Sequence, residues 1–307
     1  MVINHPRFHT LIADRKVLNL LASIALLLFS LSVYADDLEV TILGSGTPVP
    51  SIERFGPSTL IEYKNKKYLF DVGRGATIRL NQIGINPSEI DHLFLTHLHS
   101  DHITGFADLW LTGWIWQRKN ELGVYGPEGV ESFISHTQKA FSSDIAFRSK
   151  QTGLSPEGLK LNVMPVQQGV IYKDKDVKIT AIKVDHGSVE NAYGYRFDTD
   201  KHSVLLSGDT TFSNNLIHHG KDVDLLIHEL AVIDPKLIEH NDKLRKISDY
   251  HTSLQQAKKV IDYIQPERTI FNHLLIIGVE PQKLNQEIHS LFKGQAELAY
   301  DLMKIVL

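Results

Sequence analysis

The seven residues THLHSDH, Thr96 to His102, constrain this chain more than any other stretch. They follow HLFL (His92 to Leu95), a run apolar enough to be a buried strand. The next segment, ITGFADLWLTGW, spaces its large apolar residues as a helix does. The cluster therefore sits where a strand hands over to a helix. Side chains alternate along extended backbone, so His97 and His99 point the same way and can reach one metal ion. Asp101 and His102 come after the turn and can reach a second. Imidazole nitrogen with carboxylate oxygen is a donor set suited to zinc. A single histidine here would read as part of a solvated loop. The full HxHxDH pattern points to metal.

Further ligands end strand-like runs in the second half. IKVDHG finishes near His186, VLLSGD on Asp209 after two small residues, and RTIFNHL near His273. Each alone reads as structural. Beside HxHxDH they complete two sets: His97, His99 and His186 for one zinc, Asp101, His102 and His273 for the other, with Asp209 bridging.

Strand-like runs at 38–43, 58–63, 67–72 and 92–95 precede a helical pattern over about 130–141. The second half repeats the style, with strands at 176–184, 192–198, 202–209 and 222–230 before helices at 253–264 and 281–292. This predicts an α+β fold of two sheet-plus-helix halves packed face to face. The Gly/Ser/Pro-containing stretch Ser142–Gly158 reads as a loop or lid. Trp110, Trp114 and Trp116 follow the metal motif; at least two are expected in the core. Trp110 and Trp114, four apart, could also wall an aromatic leaving-group pocket.

Arg7, Arg15 and Lys16 precede the apolar run Val17–Val33, and VYA ends at Ala35. That is the layout of a signal peptide over residues 1–35, with an uncleaved anchor as the alternative. The remainder, 36–307, is then one exported domain, periplasmic or secreted, with no stable membrane insertion after cleavage. There is no cysteine, which excludes disulfides and thiolate metal sites. Net charge is −4 for the chain, and residues 1–35 carry three basic side chains and one acidic, leaving about −6 for the rest. Lys/Arg runs are lacking, so extended nucleic-acid binding is not expected. Homodimerisation stays open.

At this point the chain resembles the metallo-β-lactamase superfamily over nearly all of 36–307, and within it the ribonuclease Z branch. The resemblance rests on ILGSGTPVPS (Ile42–Ser51), FDVGRGA (Phe70–Ala76) and HGSVENAYGYRF (His186–Phe197). It implies an αββα sandwich with two Zn2+ at the sheet edge. HELA (His228–Ala231) and HTS (His251–Ser253) match two further elements of that branch, which implies catalytic roles for Glu229 and His251, the latter as proton donor to the leaving oxygen. Asp101 would orient the attacking water and Asp71 would fix a ligand histidine. The alternative for His251 is a cap on the helix starting near Ser253.

Transfer-RNA-maturing members of the branch carry a long arm; in the bacterial ones used for comparison it lies between the third histidine and the bridging aspartate. Only the 22 residues 187–208 fill that interval here. The expected substrate is therefore a small ester, first a phosphodiester. The alternatives are an aryl sulfate, then a lactone or β-lactam, or transfer-RNA 3′ processing. A metal-binding protein without catalysis would not need Asp101, Glu229 and His251.

Overall fold

The computed structural model describes residues 37–307, and Leu38–Leu307 form one compact unit. The expected signal peptide lies outside the described residues. The strands are β1 (Glu39–Gly44), β2 (Ser58–Tyr63), β3 (Lys66–Phe70), β4 (His92–Phe94), β5 (Leu122–Gly126), β6 (Leu161–Pro165) and β7 (Gly169–Lys173). They continue as β8 (Lys178–His186), β9 (Val189–Asp198), β10 (Ser203–Leu206), β11 (Leu225–Ile233), β12 (Arg268–Ile277), β13 (Ala296–Leu298) and β14 (Met303–Val306). One sheet runs β14-β1-β2-β3-β4-β5-β6 and the other β13-β12-β11-β10-β9-β8-β7.

Period-two alternation explains the layering. Tyr68 and Phe70 of β3, Phe94 of β4, Val204 and Leu206 of β10, and Ile227 of β11 belong to one core shared by the two sheets. The residues between them face outward. Leu69 and Leu93 pack on Leu80, Phe106 and Trp110 of the first helical layer. Leu205 and Leu226 pack on Val260, Ile264 and Ile288 of the second. The result is the expected αββα sandwich.

One expectation from the sequence needs correction, and two features of the sheets go beyond it. Ser142–Gly158 is not a loop: Ser142–Thr152 is an α-helix and Pro156–Leu159 a 3-10 turn. That helix buries no residue, so no apolar stripe announces it, and an exposed Arg148–Asp144 pair one turn apart bridges its surface. The half-exposed strands β6 and β7 carry too little apolar signal to be seen. Finally, the halves are not strictly consecutive, because β14 returns to pair with β1.

Candidate metal centre and active site

The site gathers residues that follow or end β3, β4, β8 and β10 and residues from within β11 and β12. Strands β3 and β4 run parallel, as do β10, β11 and β12. Asp71 and the Thr96–His102 segment leave the first pair; Asp209, Glu229 and His273 come from the second set, and His186 ends β8. β3, β4 and β10 end at the site, whereas β11 and β12 run on past it to Ile233 and Ile277; ligand crevices of α/β sheets lie beyond the carboxyl ends of strands.

Local backbone devices aim individual side chains. His273 is an extra residue in β12: Asn272 pairs with Glu229 and Leu274 with Leu230, so His273 bulges, at φ 44°. A bulge re-aims one side chain without disturbing the flanking register. Gly208, at φ 60°, brings Asp209 in tightly; a Cβ there would lie 2.5 Å from the Tyr193 carbonyl oxygen. Asp71 also holds a positive φ, 57°, and its short side chain tolerates that region.

All seven sequence-predicted ligands come together. His97, His99 and His186 form one trio, Asp101, His102 and His273 another, each with candidate donor atoms within 4.8 Å of one another. Asp209 Oδ2 lies 3.4 Å from the Nε2 atoms of His102 and His273, 3.8 Å from that of His186 and 3.9 Å from that of His97. One carboxylate oxygen thus faces imidazoles of both trios.

The residues behind the cluster orient the rings. His102 Nδ1 donates to Asp71 Oδ2 at 2.8 Å, and His186 Nδ1 to the Tyr250 carbonyl at 3.0 Å. Thr96 Oγ1 donates to Asp71 Oδ2 at 2.9 Å and lies 3.0 Å from His97 Nδ1. Each contact turns Nε2 toward Asp209. Sequence reasoning missed Thr96 and the Tyr250 carbonyl. The first stands at the head of the motif; the second is a main-chain group and has no sequence signal.

These residues fit a metal by two observations. The Nε2 atoms of His97 and His102 are buried without a hydrogen-bond partner, facing a carboxylate at distances too long for good hydrogen bonds. Four buried carboxylates, Asp71, Asp101, Asp209 and Glu229, have only histidines as ion-pair partners. Such a cluster demands positive charge. Burial would keep His102 neutral, yet Asp209 and Asp71 override it and hold its pKa well above the ordinary value. Burial also opposes charge on Asp209, but His273 and His102 hold its carboxyl well below the usual range. Burial takes His97 well below its ordinary value and His186 down to about 4, so both stay neutral near pH 7, as ligation requires. Metal cations satisfy all of this without protons.

Beside the trios, His251 Nδ1 lies 2.9 Å from Glu229 Oε1, which also accepts from the N–H groups of Thr210 and Thr252 at 2.9 and 3.3 Å. The His251 ring stands 5.1 Å from that of His186 and 5.5 Å from that of His273. Burial opposes its protonation, but Glu229 outweighs this and raises its pKa. His251 does not cap the following helix. Ser253 does, in a reciprocal capping box with Gln256.

Neither Trp110 nor Trp114 lines the hollow at the metal cluster; Trp114 borders a separate hollow with Gln117, Lys119 and Ser155. Each of the two tryptophans is 1 % exposed within the core, with its indole N–H donated to the carbonyl of Leu159 or Ser155. Only Trp116 reaches solvent among the three.

Comparison with known proteins agrees with this geometry. A ribonuclease Z from Mycolicibacterium gilvum (strain PYR-GCK) is 35% identical over 225 residues, 72% of this chain and 78% of that protein. The metallo-β-lactamase fold protein YhfI from Bacillus subtilis superposes with a TM-score of 0.68 at 19% identity, covering 89% of this chain and 100% of YhfI. Zn2+-bound PqqB from Methylobacterium extorquens gives a TM-score of 0.62 at 13% identity, covering 88% and 100%. The family described as "Anti-Pycsar protein Apyc1" matches residues 38–273, from β1 to the bulged histidine of β12. The chain has the metallo-β-lactamase fold and ribonuclease Z-like hydrolase homologues, and it belongs to the Anti-Pycsar protein Apyc1 family.

Proposed function

We propose that this protein is an exported hydrolase of small phosphodiesters that works with two Zn2+ ions. The observation that carries the reading is the Glu229–His251 pair, 2.9 Å apart, set against two ligand trios joined by Asp209. A metal store needs no such pair. Ribonuclease Z relatives support phosphodiester chemistry, and the Zn2+-bound neighbour of the same fold supports zinc.

His97, His99 and His186 would hold one ion, and Asp101, His102 and His273 the other, with Asp209 shared. When bound, zinc supplies Lewis acidity toward the substrate's phosphoryl oxygens. The chain's own residues do the rest. Asp101, 6 % exposed at the cluster, orients the attacking water. Glu229 fixes the His251 tautomer and supports the imidazolium, leaving Nε2 to give its proton to the leaving oxygen. Residues 1–35 act as the signal peptide, 36–307 as the periplasmic or secreted domain.

The ribonuclease Z relatives leave a second reading, the 3′ processing of transfer RNA that the resemblance implies. Against it, the interval 187–208 is taken up by β9, β10 and their turns, which supports the absence of an arm there. A panel of small phosphodiesters, aryl sulfates, lactones and precursor transfer RNA, given to the zinc-loaded protein, tests the proposal. Small phosphodiesters should be cleaved with the highest kcat/KM; preference for any other class overturns it.

A further inference from the structure

Three histidines of the cluster have Nδ1 against an oxygen: His97 at Thr96, His102 at Asp71 and His186 at Tyr250. His273 differs. Its Nε2 lies 3.2 Å from Asp101 Oδ2, while its Nδ1, on a side chain in a residue 5 % exposed, has no hydrogen-bond partner. If Nε2 faces the metal, the ring proton sits on Nδ1, and a buried N–H without an acceptor is costly.

Two other buried atoms close by are in the same position. Glu229 Oε2 and Asn272 Oδ1 have no partner either. Glu229 and Asn272 are opposite each other across β11 and β12, and Asn272 directly precedes the bulged His273. All three residues line one hollow of about 40 Å³ that borders the metal cluster, with His102 and Asp209 also in its wall. A water molecule needs on the order of 10–15 Å³ and two to four polar partners. One water can accept from the Nδ1–H and donate to both orphaned oxygens. Donors and acceptors then match.

We propose that this hollow is a built internal water site, and that Asn272 is a positioning residue which, through that water, orients His273 and ties it to Glu229. The ring of His273 is thereby coupled to the pair that carries His251. The inference rests on reading His273 as a metal ligand through Nε2, but not on the identity of the substrate.

Two measurements test it. A crystal structure of the whole protein at about 1.5 Å should show one ordered water within about 3.2 Å of His273 Nδ1, Glu229 Oε2 and Asn272 Oδ1. In parallel, Asn272→Leu, which removes the acceptor, should weaken zinc binding about tenfold in competition with a chromophoric chelator. Asn272→Ser, which keeps an oxygen, should retain most of the affinity. Tyr68→Phe, which removes another orphaned buried hydroxyl away from the hollow, should change nothing. Melting temperatures of the metal-free variants separate lost positioning from lost folding. A dry hollow, or unchanged zinc affinity in folded Asn272→Leu, overturns the proposal. Should Asn272→Leu fail to fold, the density of the unsubstituted protein decides alone. A protein that binds no zinc would sink the metal reading, while the density in the hollow would still decide the water site.

Discussion

Glu229 Oε1 receives His251 Nδ1 at 2.9 Å, and the main chain on either side of the site, through Thr210 and Thr252, donates to the same oxygen. Three donors thus converge on Oε1 and fix the carboxylate against the His251 ring. A ring held in this way suits the proton-donor role proposed for His251.

The leaving group reports on it. An alkoxide needs a proton to depart, whereas a nitrophenolate leaves nearly unaided. His251→Ala should therefore lose about 10²–10⁴-fold in kcat on an alkyl or nucleoside phosphodiester, and far less on a nitrophenyl ester, with zinc content unchanged. Equal losses on both, with chemistry rate-limiting, would remove His251 from the mechanism.

Asp71→Asn tests the support behind the metal ligands. Asparagine tolerates the positive φ at this position and keeps an acceptor for the Thr96 N–H. Its amide nitrogen would oppose the N–H of His102 where Oδ2 now accepts it. Zinc affinity should fall about 10–100-fold, and the melting temperature of the metal-free protein should fall too, because Asp71 also supports the buried His102 there. Chelator competition measures the first and calorimetry the second; unchanged affinity would show that Asp71 only ends its strand.

The site was legible because its chemistry lies in side chains of unusual type, mostly at strand ends. HxHxDH names four residues in one stretch, and His186 and Asp209 each follow an apolar run; His273, read from the sequence as a strand end, instead lies inside β12, which continues to Ile277. The sequence could not show that His273 sits on a bulge, or that the carbonyl of Tyr250 holds His186. The layers were legible from alternation, as in Tyr68–Leu69–Phe70, whose members divide between two cores. Helices with no fully buried residue, Ser142–Thr152 and Asp242–Asp249, were not, although Ile145, Leu244 and Ile247 pack partly against the core. The indole pair failed as a wall of the metal site because the spacing that aligns Trp110 and Trp114 on one face serves the core equally well.

Stability should depend on pH through His92, which lies away from the metal cluster among Tyr68, Tyr125 and Tyr172. Burial lowers its pKa to about 4. The folded pKa is below the unfolded value, so the unfolded chain takes the proton first as pH falls. The contribution is complete above about pH 6.5 and is lost as pH drops through about 4. His92→Phe should narrow the stability difference between about pH 7.5 and pH 4.5 by up to roughly 3 kcal/mol. Urea unfolding of both proteins at the two pH values measures it; parallel pH profiles would contradict the assignment.

Precursor transfer RNA should be a poor substrate beside a small phosphodiester. The interval 187–208 holds strands and turns where an arm would be inserted. Comparing kcat/KM for the two substrates at matched zinc checks this. Efficient cleavage at the end of the acceptor stem would restore the transfer-RNA reading.

The central claim is that His97, His99 and His186, with Asp101, His102 and His273, hold two ions across Asp209 and that hydrolysis depends on both. Stripping the purified protein with a chelator and titrating zinc back, while following bound metal and phosphodiester cleavage together, tests it most directly. The account predicts about two zinc ions bound per chain at saturation, with no cleavage in the stripped protein and full activity only when both sites are filled. Full activity with one ion or none would contradict it.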